Sequence, residues 1–499
     1  MAEAFGQLTS RPAACMATRA VGAANLAIGL HTARQDSTPL VALVGQVPRA
    51  FRGREAFQEV DQVETFGRLC KAAIQIDEPS QLEGRVREMV ALARSGRPGP
   101  VLIALPEDVL EAPVDEAAGQ GAALEDTSTA EVDGAGLDQL LELVRSAKRP
   151  VILAGAGVLR ADARAALRRF AEAARLPVVA AWRRPDIFPN EHRLYLGMAG
   201  LGAPFTVRER LEAADLILAL GTRLSEITSF GYSIPSPGTK LVQVDLEPGF
   251  AGDRRQPDLA LAVDVGTFLR TATEALEREP LDPAPEREAA DEADRQRYLL
   301  ASEPPIRPQS SPIDPAAVIR ALGDALPKGS IVTTDAGNFG GWAARYLRFR
   351  ETDRFLGPTS GAMGYGLPAA IAASMAMPDR QVVALCGDGG FAMLMAELET
   401  AVREGLRLVA LVFDNRMYGT IRMHQEQEHP GRVVATELGP IDFAAVARAC
   451  GAQGLTLERD LEVLPALAEA LDAGGVTVLH LITDPRYLSV DRMLVESAR

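Results

Sequence analysis

Residues 382–415 decide the fold that this 499-residue sequence predicts, and they read VVALCGDGGFAMLMAELETAVREGLRLVALVFDN. An apolar run leads into GDGG at 387–390, a stretch with helical periodicity follows, and a second apolar run ends in DN at 414–415. This pattern is typical of a βαβ unit, whose right-handed crossover places two parallel strands side by side. We therefore expect Asp388 and Asn415 to converge at the carboxyl ends of these strands, although 27 positions separate them.

Three oxygen ligands for a divalent cation are predicted at this convergence. Asp388 offers a carboxylate, Asn415 offers an amide oxygen, and the irregular turn after Asn415 offers a backbone carbonyl. These hard ligands suit Mg²⁺ and leave about three positions of its octahedron for diphosphate oxygens and water. Gly387, Gly389 and Gly390 let backbone N–H groups approach those oxygens, and the following helix adds its positive end. The alternative is a solvated surface turn, but the two flanking apolar strands favour the metal-diphosphate site.

The alternation of apolar strands and amphipathic helices recurs along the chain. It is typical of parallel sheets covered on both faces, so the predicted fold class is α/β with doubly wound parallel sheets. The predicted strands are residues 40–44, 101–105, 151–153, 216–220, 241–244, 331–334, 382–385, 408–413 and 476–482, and helices are predicted at 162–174 and 391–404.

Two breaks in composition divide the sequence. Residues 111–136 and 280–315 lack a strand or helix periodicity that is long enough to form a buried face, so we interpret both as linkers. Three α/β domains are therefore expected, at residues 1–115, 137–278 and 312–490.

Composition and charge exclude several classes of protein. Lys and Arg total 52 against 67 Asp and Glu, a formal charge of −15, so nucleic acid and anionic membranes are not expected as partners. No apolar run reaches the roughly 20 residues of a membrane span, and no signal-peptide pattern is present. The four cysteines, Cys15, Cys70, Cys386 and Cys450, form no C-x-x-C pair, which disfavours disulfides and predicts the reducing cytoplasm.

Several segments resemble thiamine-diphosphate (ThDP) enzymes. Residues 382–415 are similar to their Mg²⁺-diphosphate motif, Gly-Asp-Gly followed by Asn-Asn, with Asp in place of the first Asn. Residues 360–370 (SGAMGYGLPAA) resemble a loop of the acetolactate-synthase group, and residues 335–339 (DAGNF) resemble a strand end that touches the diphosphate. Residues 45–48 (GQVP) and 56–59 (AFQE) are similar to the pyrimidine-side domain. The resemblance covers nearly the whole chain, in the order pyrimidine-binding, central and diphosphate-binding domain.

The resemblance implies a set of cofactor contacts. Asp388, Asn415 and the carbonyl of Met417 would hold Mg²⁺, and Met363 would wedge under ThDP. A plain core methionine is the alternative for Met363. The implied cofactor-binding residues are Asn338, Phe339, Met363, Gly387, Asp388, Gly389, Gly390, Asn415, Met417, Tyr418 and Gly419.

Two further residues bear on the substrate. Gln58 would face the reacting centre from the pyrimidine side, and a surface amide is its alternative. His424 stands where acetohydroxyacid synthases carry a tryptophan that selects the acceptor, and a neutral, solvent-facing histidine is its alternative. These two are the candidate catalytic residues.

The function that the resemblance implies is ThDP- and Mg²⁺-dependent decarboxylation or carboligation of a small 2-oxo acid, of the acetolactate-synthase type. Because ThDP bridges two subunits in the family, a homodimer or homotetramer is expected. One alternative is a catalytically impaired, ThDP-binding paralogue or partner subunit. Another is a nucleotide-binding α/β protein that uses residues 155–157 (GAG), although Arg160 replaces the third glycine of the dinucleotide fingerprint and a tight turn explains the motif better. FAD, which some relatives bind in the central domain, is specified by nothing in this sequence.

The start of the sequence departs from the family. Met1, Phe5 and Leu8 keep helical spacing without a cap residue ahead of them, and the family's catalytic glutamate would lie six positions before the methionine that matches Met1. Glu3 cannot replace it, because the family carries a second acidic residue at that place. Residues 18–25 (TRAVGAAN) keep only the last glycine of the family's Gly-Pro-Gly turn. Loss of a positioned proton-transfer group costs about 10²–10⁴ in rate, so we expect these residues alone to be slow or inactive, and a gene start placed too late or a truncation to be the cause.

Overall fold

The structure is a computed structural model that describes residues 1–113, 131–248, 256–308 and 310–494. It divides into two compact units, Met1–Ser128 with Pro358–Ala362 and Thr129–Gly357 with Met363–Arg499. The described strands form three parallel sheets and one short antiparallel hairpin, which confirms the predicted α/β class.

The first unit contains one four-stranded sheet. Its elements are α1 (Ala2–Thr9), β1 (Ala13–Thr18), α2 (Arg19–Asp36), β2 (Leu40–Gln46), α3 (Gln62–Phe66), β3 (Ala72–Gln75), α4 (Leu82–Arg94), β4 (Pro100–Pro106) and α5 (Glu107–Leu110). The strands are parallel in the order β1-β2-β4-β3. Leu102 and Ala104 of β4 pack with α2 and α3, while Val101 and Ile103 pack with α4. Helices therefore cover both faces of β4, as its continuous apolar run predicts.

The second sheet lies in the larger unit. Its elements are α6 (Gly134–Ser146), β5 (Pro150–Ala154), α7 (Ala156–Arg160), α8 (Arg164–Ala174), β6 (Val178–Ala180), β7 (Tyr195–Met198), α9 (Phe205–Glu212), β8 (Leu216–Leu220), β9 (Lys240–Asp245), β10 (Leu259–Ala262), α10 (Val265–Arg278) and α11 (Pro285–Ala301). The strand order is β10-β9-β8-β5-β6-β7, so the chain switches direction across the sheet between β5 and β8.

The third sheet follows in the same unit. Its elements are α12 (Pro315–Ala325), β11 (Ile331–Thr334), α13 (Gly340–Tyr346), β12 (Arg354–Leu356), α14 (Gly366–Ala376), β13 (Val382–Gly387), α15 (Asp388–Leu394), α16 (Glu397–Arg403), β14 (Leu408–Asp414), α17 (Gly419–Glu428), α18 (Phe443–Ala449), β15 (Gln453–Leu457), α19 (Asp460–Ala473), β16 (Val476–Ile482), β17 (Tyr487–Ser489) and β18 (Arg492–Met493). The strand order is β12-β11-β13-β14-β16-β15, and β17 pairs with β18 in the hairpin. Gly387 of β13 lies opposite Phe413 of β14, so the carboxyl ends of these two strands coincide.

Every predicted strand lies within an observed strand, because each is a continuous apolar run that the structure buries. The strands β3, β6, β7, β10, β12, β17 and β18 were not predicted, because two to four residues are too few to show a hydrophobic periodicity. The longer strands β1 and β15 were also missed, because almost none of their residues is buried and neither contains a continuous run of Val, Ile or Leu. Short 3₁₀ turns at Arg49–Phe51, Gly67–Leu69, Pro79–Gln81 and Pro185–Ile187 complete the described helices.

The second predicted linker, residues 280–315, is wrong in its middle, where the 17-residue helix α11 lies. Two of the three side chains that α11 buries are arginines, Arg287 and Arg295. Its Arg295 donates to the carbonyl oxygen of Tyr195 at 2.5 Å, and its Asp291 pairs with Arg210 of α9, whose side chain is only 1% exposed. Because arginine and aspartate rather than leucine make these contacts, the apolar period that predicts a buried helix is absent.

The helix predicted over residues 391–404 is two helices, and the first starts at Asp388 instead of after the GDGG segment. At Met395 and Ala396 the backbone stays helical, but hydrogen bonds from the next turn reach back three residues instead of four. The helix predicted over residues 162–174 is α8, which begins two residues later.

The three predicted domain ranges stay predictions. Each sheet falls inside one of them, but the second and third sheets share a compact unit. Most of the first predicted linker, residues 114–130, lies outside the described residues. Among the described helices, none has both the length and the apolar character that crossing a membrane requires.

Candidate functional site

A buried carboxylate lies at the carboxyl end of β13. Asp388 is 7% exposed, and its Oδ1 atom accepts a hydrogen bond from the Gly389 backbone N–H at 2.7 Å. Its Oδ2 atom is buried without any hydrogen-bond donor among the described residues. A buried carboxylate oxygen without a donor is costly unless a cation or a proton occupies its lone pairs.

A second carboxylate, that of Asp414 at the end of β14, lies within hydrogen-bonding reach of Asp388. Burial raises the pKa of Asp388 to about 7, and the Asp414 charge adds to the rise. Burial also acts to raise the pKa of Asp414, but the hydrogen bonds that its carboxylate accepts from His480 and from the protonated Asp388 carboxyl outweigh it and leave that pKa below its ordinary value. A positive charge placed between the two carboxylates would relieve this repulsion.

The turn after β14 holds the other two predicted ligands. The Asn415 amide oxygen accepts from the Met417 N–H at 3.3 Å, and the Met417 carbonyl accepts from the Gly419 N–H at 2.9 Å. Residues 436–438 pin this turn, because Tyr418 N–H donates to the Thr436 carbonyl. No cluster of three His, Cys, Asp or Glu side chains occurs within the described ranges, so a cation here would also need amide and carbonyl oxygens. The donor set of Asp388, Asn415 and Met417 fits a hard divalent cation on this ground.

The glycines of the GDGG segment are constrained by packing. A Cβ atom at Gly389 would lie 2.7 Å from the Tyr418 ring, and one at Gly387 would lie 3.0 Å from the Phe339 ring. At Gly390 it would lie 2.3 Å from the Oδ2 atom of the Asp335 carboxylate. Close approach of these side chains is thus a reason for glycine that is independent of any bound diphosphate.

Asp335, at the end of β11, is the buried carboxylate that the sequence identified only as part of a motif. Its Oδ1 atom accepts from the N–H groups of Ala336 at 2.8 Å and Tyr365 at 3.2 Å. Its Oδ2 atom is buried, with no donor among the described residues. Burial raises its pKa to about 6.

Asp335→Asn is expected to change how stability depends on pH. The Asp335 pKa rises from an ordinary 3.8 to about 6 on folding, so folded protein holds a proton that unfolded protein releases. Wild type should therefore lose stability relative to the non-titrating amide as pH rises between these values, by up to ~3 kcal/mol. Urea unfolding of both proteins at several pH values measures the difference. A constant difference across this range would contradict the buried, donor-poor carboxyl.

The Asn338 side chain is already engaged. Its Oδ1 atom accepts from the Thr420 hydroxyl at 3.0 Å, and its Nδ2 donates to the Leu488 carbonyl at 2.8 Å. Phe339 stacks on Phe413 with ring centroids 5.4 Å apart. Both residues thus help to fix α17 and the strand ends beside Asp388, and their contact with a cofactor stays a prediction.

The remaining predicted residues lie in different surroundings. Met363 is 38% exposed, so the alternative of a core methionine is wrong for this chain. His424 is exposed on α17, and no residue of α17 is buried. Gln58 belongs to the first unit, where it is half-buried with a positive φ of 61° and its carbonyl accepts from the Ala20 N–H. Glu3 is buried and accepts from the Thr38 hydroxyl at 2.9 Å, which is a structural role.

The GAG turn of the second sheet is explained by packing. A Cβ atom at Gly157 would lie 2.5 Å from the Cα of Gly221, and the Gly157 N–H donates to the Gly221 carbonyl at 2.9 Å. The start of α7 and the turn that follows β8 therefore lie directly against each other. The glycines of this turn therefore give no support for the binding of a dinucleotide or FAD.

Comparison with known proteins gives matches along the chain. Three family models of thiamine pyrophosphate (ThDP) enzymes match this chain. The model of the N-terminal TPP binding domain matches residues 1–65, that of the central domain matches residues 137–272, and that of the C-terminal TPP binding domain matches residues 335–481. The probable acetolactate synthase large subunit of Methanocaldococcus jannaschii is 31% identical over 493 residues, covering 97% of this chain and 83% of that protein. The acetolactate synthase isozyme 1 large subunit of Escherichia coli K12 is 31% identical over 490 residues, covering 97% and 85%.

The chain therefore belongs to the thiamine pyrophosphate enzyme family, as its βαβ motif predicted. Within that family it is a member of the acetolactate-synthase-like group, whose large subunits align with it over nearly its whole length. The alternative of an unrelated nucleotide-binding α/β protein is wrong.

Proposed function

We propose that this chain is a ThDP- and Mg²⁺-dependent enzyme that decarboxylates or carboligates a small 2-oxo acid, as an acetolactate-synthase-like large subunit. The observation that carries the proposal is the buried, donor-free Oδ2 atom of Asp388 beside the turn that holds Asn415 and Met417. When bound, ThDP supplies the carbon–carbon bond chemistry on the 2-oxo acid.

The chain's own residues would bind and orient the cofactor. Asp388, Asn415 and the Met417 carbonyl would hold Mg²⁺, and the oxygens of the diphosphate would complete its coordination. Met363 offers an exposed apolar side chain for the body of the cofactor, in keeping with its predicted role as a wedge. The proposed contacts further include Asn338, Phe339, Gly387, Gly389, Gly390, Tyr418 and Gly419, with Gln58 and His424 on the substrate side.

The proposal extends to assembly and location. We expect a homodimer or homotetramer, because the family resemblance implies that two subunits share each cofactor. We expect the cytoplasm, because all four cysteines are free, as they would be in a reducing compartment.

The test is an assay of the complete natural protein with a panel of small 2-oxo acids, with and without ThDP and Mg²⁺. CO₂ release and product masses are recorded. We expect turnover of at least one acid that requires both additions. ThDP binding without turnover of any acid would overturn the enzymatic proposal and favour the catalytically impaired paralogue.

His424→Trp is expected to change the choice of acceptor. An indole in place of the exposed imidazole would add apolar surface beside the substrate, and such changes are worth about tenfold or more between competing substrates. Competition between two 2-oxo acid acceptors, with products separated by mass spectrometry, measures the ratio. The matched control is His429→Trp, an exposed histidine at the end of α17. An unchanged ratio in the His424 variant would assign that residue to the surface.

A further inference from the structure

A buried histidine contacts Asp414, the carboxylate that neighbours Asp388. His480 of β16 places its Nε2 atom 2.8 Å from the Oδ2 atom of Asp414, and the two side chains are 5% and 4% exposed. Because an ionised carboxylate only accepts hydrogen bonds, Nε2–H is the donor. At a buried site of low dielectric constant, a hydrogen bond to a carboxylate is stronger than in water and fixes the side chain that accepts it.

The surroundings of His480 restrict it to this one contact. The Phe443 ring packs edge-on against the imidazole at 5.2 Å, and Phe391 packs edge-on against Phe443 at 5.4 Å. The other ring nitrogen, Nδ1, is buried and has no hydrogen-bond partner among the described residues. The imidazole therefore contributes one directed donor, and that donor points at Asp414.

Asp414 in turn holds the start of the turn that carries two predicted metal ligands. Its Oδ1 atom accepts from the Arg416 N–H at 2.9 Å, and Arg416 has a positive φ of 57°, which is unfavourable for a residue with a side chain. Its backbone carbonyl accepts from the Thr483 N–H at 2.8 Å. The Asp414 carboxylate thus compensates for a strained backbone between Asn415 and Met417.

We propose that His480 and Asp414 are a positioning pair for the cation site: His480 fixes the Asp414 carboxylate, and Asp414 fixes the turn that presents Asn415 and Met417. Asp414 also adds a second negative charge beside Asp388, where the family motif has a neutral asparagine. The inference rests on the proposed function, because it concerns the same cation. Neither residue needs to contact Mg²⁺ or ThDP. The pair affects cation binding by positioning the ligands Asn415 and Met417.

The test compares five forms of the complete natural protein: wild type, His480→Phe, His480→Gln, Asp414→Asn and the double variant His480→Phe with Asp414→Asn. Phe keeps the ring that packs on Phe443 but removes the donor, whereas Gln keeps a terminal N–H donor. Calorimetric titration of Mg²⁺ at saturating ThDP gives the affinity. Thermal unfolding without cofactor gives the stability, and Thr477→Val on the same strand is the control for a buried change away from the pair.

We expect His480→Phe to weaken Mg²⁺ binding about 10–100-fold, as the loss of an orienting partner does in other metal sites. His480→Gln should restore most of the affinity. The Phe substitution should have a smaller effect when Asp414 is already Asn, since the pair is then broken. Wild-type affinity in His480→Phe, or equal affinities in the Phe and Gln variants, would overturn the positioning pair and leave a packing role. If wild type itself takes up no ThDP with Mg²⁺, the proposed function fails instead.

Discussion

In Asp388→Asn, Mg²⁺-dependent binding of ThDP is expected to fall by more than about 100-fold. An outer-shell residue of a metal site is worth about 10–100-fold in affinity, and Asp388 is assigned as a direct ligand with the charge that the cation requires. Asn has the same shape, so the packing around Asp388 is kept. Because the substitution removes a buried charge that faces Asp414, the cofactor-free variant should be at least as stable as wild type.

Calorimetric titration of ThDP with Mg²⁺, together with thermal unfolding without either, measures both quantities. The matched control is Asp324→Asn, an exposed aspartate on α12 of the same unit, which should change neither. Unchanged ThDP affinity in Asp388→Asn would show that the cation assignment is wrong. Loss of binding together with loss of folding would show that Asp388 has a structural role that the geometry does not indicate.

Gly390→Ala is expected to destabilise the third sheet. The added Cβ would lie 2.3 Å from Oδ2 and 2.9 Å from Cγ of Asp335, which is itself buried and held by the N–H groups of Ala336 and Tyr365. Asp335 cannot move without losing these hydrogen bonds. Overpacking of this kind costs about 1–3 kcal/mol of unfolding free energy.

Denaturant unfolding measures that cost, and Gly323→Ala is the control. Gly323 lies in α12, where an added Cβ would meet nothing within 4 Å. That variant should gain about 0.5–1 kcal/mol, because alanine favours a helix interior over glycine. If the two variants had equal stability, the close contact between Gly390 and Asp335 would be refuted.

The sequence predicted the structural features that depend on hydrophobic periodicity and on the order of strands and helices along the chain. The apolar runs before Asp388 and Asn415 predicted two adjacent parallel strands, and β13 and β14 pair in that way. Continuous apolar strands predicted the α/β class throughout. These features follow from local composition, so a single sequence suffices to find them.

What the sequence did not predict depends on contacts between distant polar residues. Helix α11 buries Arg295 and pairs Asp291 with Arg210, which an apolar period cannot indicate. The pair of Asp414 and His480 was also missed, although the register contains a signal for it. His480 of β16 lies opposite Val412 of β14. Asp414 follows Val412 by two residues and therefore points to the same face of the sheet, so the His480 and Asp414 side chains share that face.

The most direct test of the account is a calorimetric titration of wild-type protein with ThDP, once with Mg²⁺ and once with a chelator in its place. We predict saturable uptake with Mg²⁺ and at least tenfold weaker uptake with the chelator, because Asp388, Asn415 and the Met417 carbonyl would reach the diphosphate only through the cation. No uptake in either titration, or equal uptake in both, would contradict the cation-and-diphosphate site at the end of β13.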